Sequence, residues 1–507
     1  MLEPAAIDRL RENLLAAGYT LDAVADRLGE AGLAGLGRNS SLAAGRALAG
    51  ADDPQATAIR LWLLQQPVPS GSLGWLDTSH LRGAGLIAGS DELRATVELK
   101  PYGSEARQGW ICSDQTPLDT RVVRPRPDFV LGASPASTTL AQLVPRVRAG
   151  SALDLGTGCG IQSVHLADHA ERVVATDLNP RALDLARITL GLNQVSAELR
   201  LGSLYEPVAE ELFDLVVTNP PYVMSPPGGG LVYREGGFAG DGLMREVVSG
   251  VPLNPGGLLV VLGNWAVVEG RPWAERVAEW IPAGHDALVL QREALDPYEY
   301  IEIWLADAGL AGTPEYLPAY RDWLQYFDSQ RISGVGMGWI FVRRSGSAQP
   351  DLRLEEWPHA VHQPVGEAVL AHFDGIEGSR WPDERVLAAT WRRSDDLRQE
   401  TLGAPGAADP EYIVLRQAGG LGRAVTADTA LAAVVGACDG DLPLGMLVDA
   451  VAHLLEVDAA ALAADVLSHL RPLIAEGLVV HSDSQETQSE GFGSAITLEG
   501  EPRRADG

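Results

Sequence analysis

The sequence predicts an α/β protein: a doubly wound parallel sheet with helices on both faces, flanked at each end by a smaller α+β region. Three observations carry this. Apolar runs at 152–155, 173–176, 215–218 and 258–262 alternate with helical stretches, the rhythm of βαβ units. Ahead of them, helical spacing gives way to strict strand alternation near residue 91. Behind them, LGMLVDAVAHLLEV and ALAADVLSHLRPLIAEGLVVH read as two amphipathic helices and a strand.

In chain order, Ile7, Leu10 and Leu14 fall at helical spacing, as do Ile59, Trp62 and Leu63. HLRGAGLIAGS reads as a short helix stopped by glycine. DELRATVELK then alternates as one half-exposed strand, with Leu93, Ala95, Val97 and Leu99 on its inner face. Helices followed by a small hairpin resemble a winged-helix module, so 1–103 is expected to be a separate winged-helix-like domain. The α/β domain is expected over 104–345, with GVGMGWIFVRR (334–344) as its last strand and a candidate for the sheet edge. GSAQP (346–350) reads as a linker. A second winged-helix-like region is expected over 351–482, where Gly477-Leu478-Val479 echoes Gly85-Leu86-Ile87. The polar, Gly/Ser-rich stretch 483–507 is expected to be a disordered tail.

The 507 residues carry 46% hydrophobic and 21% charged residues, an ordinary globular profile. No apolar run has the length of a membrane span, and MLEPAAIDRL lacks a basic, apolar leader, so a cytoplasmic location is expected. Cys112, Cys159 and Cys438 are scattered, which fits a reducing compartment. Cys159 sits inside a glycine turn and reads as a small turn residue, not a nucleophile. His359 and His362 lack partners at metal spacing, and no metal site is expected. The net charge of −29 is uneven. Residues 1–150 hold 15 Lys and Arg against 16 Asp and Glu; the remainder holds 24 against 52. Phosphate attraction supplies most nonspecific affinity for nucleic acid. Any such contact is therefore expected in the first part, where Arg121, Arg124 and Arg126 cluster, although a solvated charged face explains that cluster alone.

Two loops carry chemistry. ALDLGTGCG (152–160) ends a strand at Asp154, and its glycines Gly156, Gly158 and Gly160 let a ligand approach the main chain. VVATDLNP places Asp177 at the end of the next strand, where a carboxylate can accept both hydroxyls of a ribose. In FDLVVTNPPYVM (213–224) a buried strand stops at Asn219, because Pro220 and Pro221 cannot donate to a ladder. The prolines also hold the loop stiff, as a positioning device must be.

The order Asp-Leu-Gly-Thr-Gly-Cys-Gly, then Asp177, then Asn-Pro-Pro-Tyr resembles the class I S-adenosylmethionine-dependent methyltransferases over roughly 120–345. It is most similar to amino-methyltransferases with an Asn-Pro-Pro-Tyr motif. These include N6-adenine methylases, RNA methylases with the methyltransferase small domain, and the HemK-type glutamine methyltransferases. The resemblance implies a Rossmann-like core with a mostly parallel seven-stranded sheet. It implies S-adenosyl-L-methionine as cofactor, with S-adenosyl-L-homocysteine as product. By it, Asp154, Gly156, Thr157, Gly158 and Gly160 hold the methionyl end, Asp177 the ribose and Ser203 the adenine side, and Leu178 and Leu204 are further cofactor-binding residues. Many relatives carry an acidic residue where this chain has Ser203. Asn219, Pro220, Pro221 and Tyr222 are implied as catalytic residues, with Asn219 also beside the cofactor. The acceptor would be a planar amine whose lone pair is delocalised. The Asn219 and Pro220 carbonyl oxygens would accept its N–H bonds, and Tyr222 would offer a stacking face.

A nucleic-acid base (adenine N6 or guanine N2 of RNA or DNA) is the leading expectation for the acceptor, supported by the winged-helix-like flanks. A protein glutamine is the alternative. Gly240-Asp241-Gly242-Leu243 resembles a stretch of the glutamine methyltransferases, while VLGASPASTTLAQLV (130–144) replaces their Pro-Glu-Thr-Glu-like segment. Asp241 also reads as a helix cap. A third reading is a catalytically degenerate scaffold that binds partners. Oligomeric state is left open.

Overall fold

The computed structural model describes residues 2–104, 107–119, 126–221, 223–226, 238–405 and 410–482. The first region contains α1 (Pro4–Ala16), α2 (Leu21–Leu36) and α3 (Thr78–Gly83), then strands β1 (Glu92–Ala95), β2 (Glu98–Ser104) and β3 (Arg107–Ser113). The single strand expected over 91–100 is in fact two. β1 joins a small sheet with 68–69 and 87–89, whereas β2 pairs with β3. The alternation misleads because Leu93, Ala95, Val97 and Leu99 are all buried, so both halves line one core across the break. The β2–β3 hairpin spans the division expected at residue 103.

Next come α4 (Pro135–Leu143), β4 (Ala149–Leu155), α5 (Ile161–Leu166), β5 (Ala170–Asp177), α6 (Pro180–Leu192), β6 (Glu198–Leu201) and β7 (Phe213–Thr218). They are followed by α7 (Gly242–Ser249), β8 (Leu253–Val268), β9 (Asp286–Leu295), α8 (Pro297–Asp307), α9 (Tyr316–Gln330), β10 (Ile332–Arg343) and β11 (Leu352–Glu356). The central sheet runs β11-β9-β10-β8-β7-β4-β5-β6. β8, β7, β4, β5 and β6 are parallel, and β10 is antiparallel to both its neighbours. This is the doubly wound arrangement expected, with two corrections. The sheet has eight strands rather than seven, because β11, beyond the expected linker, pairs with β9. The 334–344 run is neither last nor at the edge; it lies between β8 and β9. Its glycines mark close approach from both sides. A Cβ at Gly338 would stand 1.9 Å from the Leu290 oxygen, and one at Gly336 2.3 Å from the Trp265 indole nitrogen.

The last region holds α10 (Gly366–Ser379), β12 (Thr390–Arg393), β13 (Asp439–Pro443), α11 (Leu444–Leu455), α12 (Ala459–Ala475) and β14 (Val479–His481). β12 pairs with both β13 and β14. The Gly85 and Gly477 echo is a shared helix ending. Both glycines have φ near +70° (72° and 71°), and the following Leu86 and Leu478 amides bond back to Leu81 and Leu473.

The three regions share cores. α1 and α2 pack with Leu185, Ile188 and Leu192 of α6. Val369, Phe373 and Ile376 of α10 join α4 and one face of the central sheet. A partly buried ion network ties the two together: Arg353 and Glu355 of β11 meet Arg423 and Glu476 of the last region. Among the described residues no helix is long and apolar enough to cross a membrane.

Candidate active site

Strand register places the two loops side by side. Leu155 at the end of β4 is level with Thr176 on β5 and with Thr218 on β7. Gly156, Asp177 and Asn219 therefore leave adjacent strands at one height, where the strand order reverses around β4. Crevices at such switch points are the usual ligand sites of doubly wound sheets. The Thr218 hydroxyl donates to the Leu155 carbonyl at 2.7 Å, which locks the last residue before Asn219 to the strand carrying the glycine turn.

The turn is tightly tethered. Asp154 is buried, and its Oδ2 accepts from the Thr157 hydroxyl (2.6 Å), the Ser163 amide (2.9 Å) and the Ser163 hydroxyl (2.6 Å). Burial pushes the Asp154 carboxyl up to about 6, against the pull of those donors. The Gly156 and Thr157 amides both bond to the Thr176 carbonyl at 2.9 Å. Asp177 accepts from the Gly158 amide at 2.9 Å and, through its other oxygen, from the Asn179 amide at 2.8 Å. Burial raises its carboxyl above the usual range, opposed by those amides.

Asp154, Gly156, Thr157, Gly158, Asp177, Leu178, Ser203, Leu204, Asn219, Pro220 and Pro221 all line one cleft. Gly156 and Gly158 have φ of 72° and 55°, and a Cβ at either would meet open space, so the cradle is shaped by their missing side chains. Gly160 is not part of the cleft wall. Its φ of 85° starts α5, and a Cβ there would press on Ala186 of α6 at 3.2 Å. Tyr222 lies outside the described residues, as do Arg121 and Arg124. Arg126 is paired with Asp114, which also holds Arg181. Cys159 lines the cleft from a buried position, and burial pushes its thiol up to about 12, which removes the thiolate.

The side-chain oxygen of Asn219 is buried and, among the described residues, has no hydrogen-bond partner. Orphaned buried acceptors are uncommon and costly, roughly 1–3 kcal/mol, so this one reads as a group held ready for a ligand. Asp241 corrects the cap expectation. It stands at the N-cap of α7 but makes no side-chain cap bond. Its carboxylate instead accepts from the Ala266 amide at 2.8 Å and pairs with Arg276 through both oxygens.

Several lining residues carried no sequence signal. Phe129, Val130, Leu131, Gly132, Ser137, Gln162 and Phe238 also line the cleft, as does Leu243 of α7. Isolated apolar positions such as Phe129 and Val130 have no motif chemistry, whereas Leu243 lies in the Gly240–Leu243 stretch singled out above.

Residues 132–226 match the family model described as methyltransferase small domain. Residues 16–97 match a domain of unknown function, DUF7059. A release factor glutamine methyltransferase from Geobacter sulfurreducens is 35% identical over 128 residues, 22% of this chain and 45% of that protein. A ribosomal protein uL3 glutamine methyltransferase from Bordetella pertussis is 31% identical over 189 residues, 33% of this chain and 61% of that protein. A ribosomal RNA small subunit methyltransferase C from Salmonella arizonae is 27% identical over 145 residues, 28% of this chain and 39% of that protein. The chain thus spans less than two thirds of each of these relatives. A methyltransferase of known structure from Pyrococcus furiosus aligns over 41% of this chain and 81% of its own, at 16% identity and a TM-score of 0.25.

Proposed function

We propose that the chain is an S-adenosylmethionine-dependent N-methyltransferase whose acceptor is a planar, conjugated nitrogen, with a glutamine amide of a protein ahead of a nucleic-acid base. The observation that carries this is the orphaned, buried Asn219 oxygen beside the glycine cradle. The residues present fit the cofactor. The open space at Gly156 and Gly158 leaves room for the methionyl end against bare main chain. Asp177 spends one lone pair of each oxygen on an amide and keeps acceptor capacity for ribose hydroxyls. Leu178, 60% exposed in the cleft, offers an apolar face for the base.

When bound, the cofactor supplies a methyl group on a sulfonium sulfur, already a strong donor. What this chain's residues add is placement and charge. The Asn219 oxygen and the Pro220 carbonyl accept N–H bonds from the acceptor nitrogen. Positive charge grows on that nitrogen as the methyl arrives, so those bonds strengthen in the transition state, and once the N–C bond has formed one N–H proton leaves to solvent. Pro220 and Pro221 fix the carbonyl directions in advance, so little reorganisation is needed. Asp154 holds the turn and keeps its own oxygen occupied by Thr157 and Ser163.

Charge favours the protein acceptor. The α8–α9 hairpin, which packs against Val223 and Met224, carries Asp296, Glu299, Glu302, Asp307, Glu315, Asp322 and Asp328 against Arg321 and Arg331. That field repels phosphate and suits a basic polypeptide. The glutamine methyltransferase relatives support the same choice. The nucleic-acid reading keeps the support of the ribosomal RNA methyltransferase relative and of the nearly neutral first 150 residues. The test is transfer of labelled methyl from the cofactor into fractionated cell extract. Label in a protein glutamine is expected. Label in RNA or DNA would reverse the order of the two acceptors, and no label in any fraction would remove the reading.

A further inference from the structure

β9 and β10 are antiparallel neighbours, which a short turn would join. The connection instead carries α8 and α9, so the sheet does not require this helical hairpin. Its inner face is aromatic: Tyr300 packs against Trp304, Trp323 and Phe327 with ring centroids 5.8–6.3 Å apart. Two tyrosine hydroxyls leave that face for main-chain amides near the cleft. Tyr300 Oη accepts from the Met224 amide at 3.0 Å, and also from Asn264 Nδ2 of β8 at 3.1 Å. Tyr326 Oη accepts from the Gly240 amide at 2.7 Å.

Met224 follows the Asn-Pro-Pro-Tyr motif, and Gly240 lies two residues beyond Phe238 of the cleft wall. Val223 and Met224 are buried in the aromatic cluster of the hairpin. Next to Gly240, Asp241 is pinned to Ala266 and Arg276. The hairpin thus grips the chain on both sides of the acceptor wall. It touches none of the turn 156–160, Asp177 or Ser203 through these bonds.

We propose that the α8–α9 hairpin positions the acceptor side of the site, with Tyr300 and Tyr326 as positioning residues acting through the Met224 and Gly240 amides. This rests on the N-methyltransferase reading and goes beyond it by separating the machinery into two halves. The glycine turn and Asp177 hold the cofactor. The hairpin, joined to the acceptor wall by its packing on Val223 and Met224 and by the two hydroxyl-to-amide bonds, sets where the acceptor meets Asn219. A phenylalanine at either position keeps the ring packing and removes the hydroxyl, and with it the bond to the Met224 or Gly240 amide.

The test uses the full chain, Tyr300→Phe and Tyr326→Phe. The probes are S-adenosylhomocysteine, by calorimetry, and labelled methyl from S-adenosylmethionine into the extract fraction that accepts it. Affinity for S-adenosylhomocysteine is expected to stay within about twofold of wild type, since the changes lie away from its cradle. Methyl transfer is expected to fall roughly ten- to a hundredfold, the range for a displaced reacting pair. The half-saturating amount of the acceptor fraction should rise with it. Transfer equal to wild type, or affinity for S-adenosylhomocysteine falling in step with transfer, would overturn the proposal. A wild-type chain that binds S-adenosylhomocysteine but labels no fraction would defeat the methyltransferase reading itself, and the two-half division with it.

Discussion

At the scale of single residues, Asp154 and Asn219 show opposite solutions to burying a polar group. Asp154 has three donors on one oxygen and still titrates near 6, up from its ordinary 3.8, because desolvation outweighs them. A carboxyl raised on folding holds its proton more tightly in the folded state. Its contribution to stability is whole below 3.8 and is lost as the pH climbs through about 6. Asp154→Asn lacks that titration. Between about pH 4 and pH 7 the wild-type melting temperature should therefore fall relative to the variant's. Parallel melting curves across that window would show that Asp154 does not titrate as described. Asn219 does the reverse: it stays neutral, and among the described residues its oxygen has no partner. Both residues were legible in the sequence because each ends an apolar run beside glycine or proline. Phe129 to Gly132 were not, because an apolar wall recruited from a preceding segment has no spacing rule. Asp241 was misread because an acid before a helix looks like a cap whether or not its carboxylate turns elsewhere.

At the scale of elements, the central parallel strands β4, β5, β7 and β8 were readable because each carries a short, mostly apolar run buried on both faces. β10 was harder. Its glycines look like weakness in a strand, yet they admit Trp265 and the Leu290 backbone at contact distances no side chain allows. Gly338→Ala should consequently cost about 1–3 kcal/mol in urea unfolding, the usual range for forcing a methyl into a filled space. A change within a few tenths of a kcal/mol would place Gly338 in open space instead. The break between β1 and β2 escaped for a related reason. Alternation reports which face is buried, not whether the backbone continues in one sheet.

At the scale of the whole molecule, the regions expected as separate units are joined through shared apolar clusters. β11 completes the sheet edge, and α10 covers α4 and the strands beneath it. A chain ending at residue 345 would bare the β9 edge and the apolar residues under α10. Light scattering should then show association, and the melting temperature should drop, since an open hydrophobic edge invites pairing. A truncated chain that stays monodisperse with an unchanged melting temperature would mean that the last region contributes nothing to the sheet. The central cleft depends on this frame to hold three strand ends level. The most direct measurement is single-turnover transfer of labelled methyl from S-adenosylmethionine by wild type and by Asn219→Ala. The account predicts a loss of roughly a hundred- to a thousandfold in transfer, with S-adenosylhomocysteine affinity nearly kept. Transfer by Asn219→Ala at the wild-type rate would contradict it.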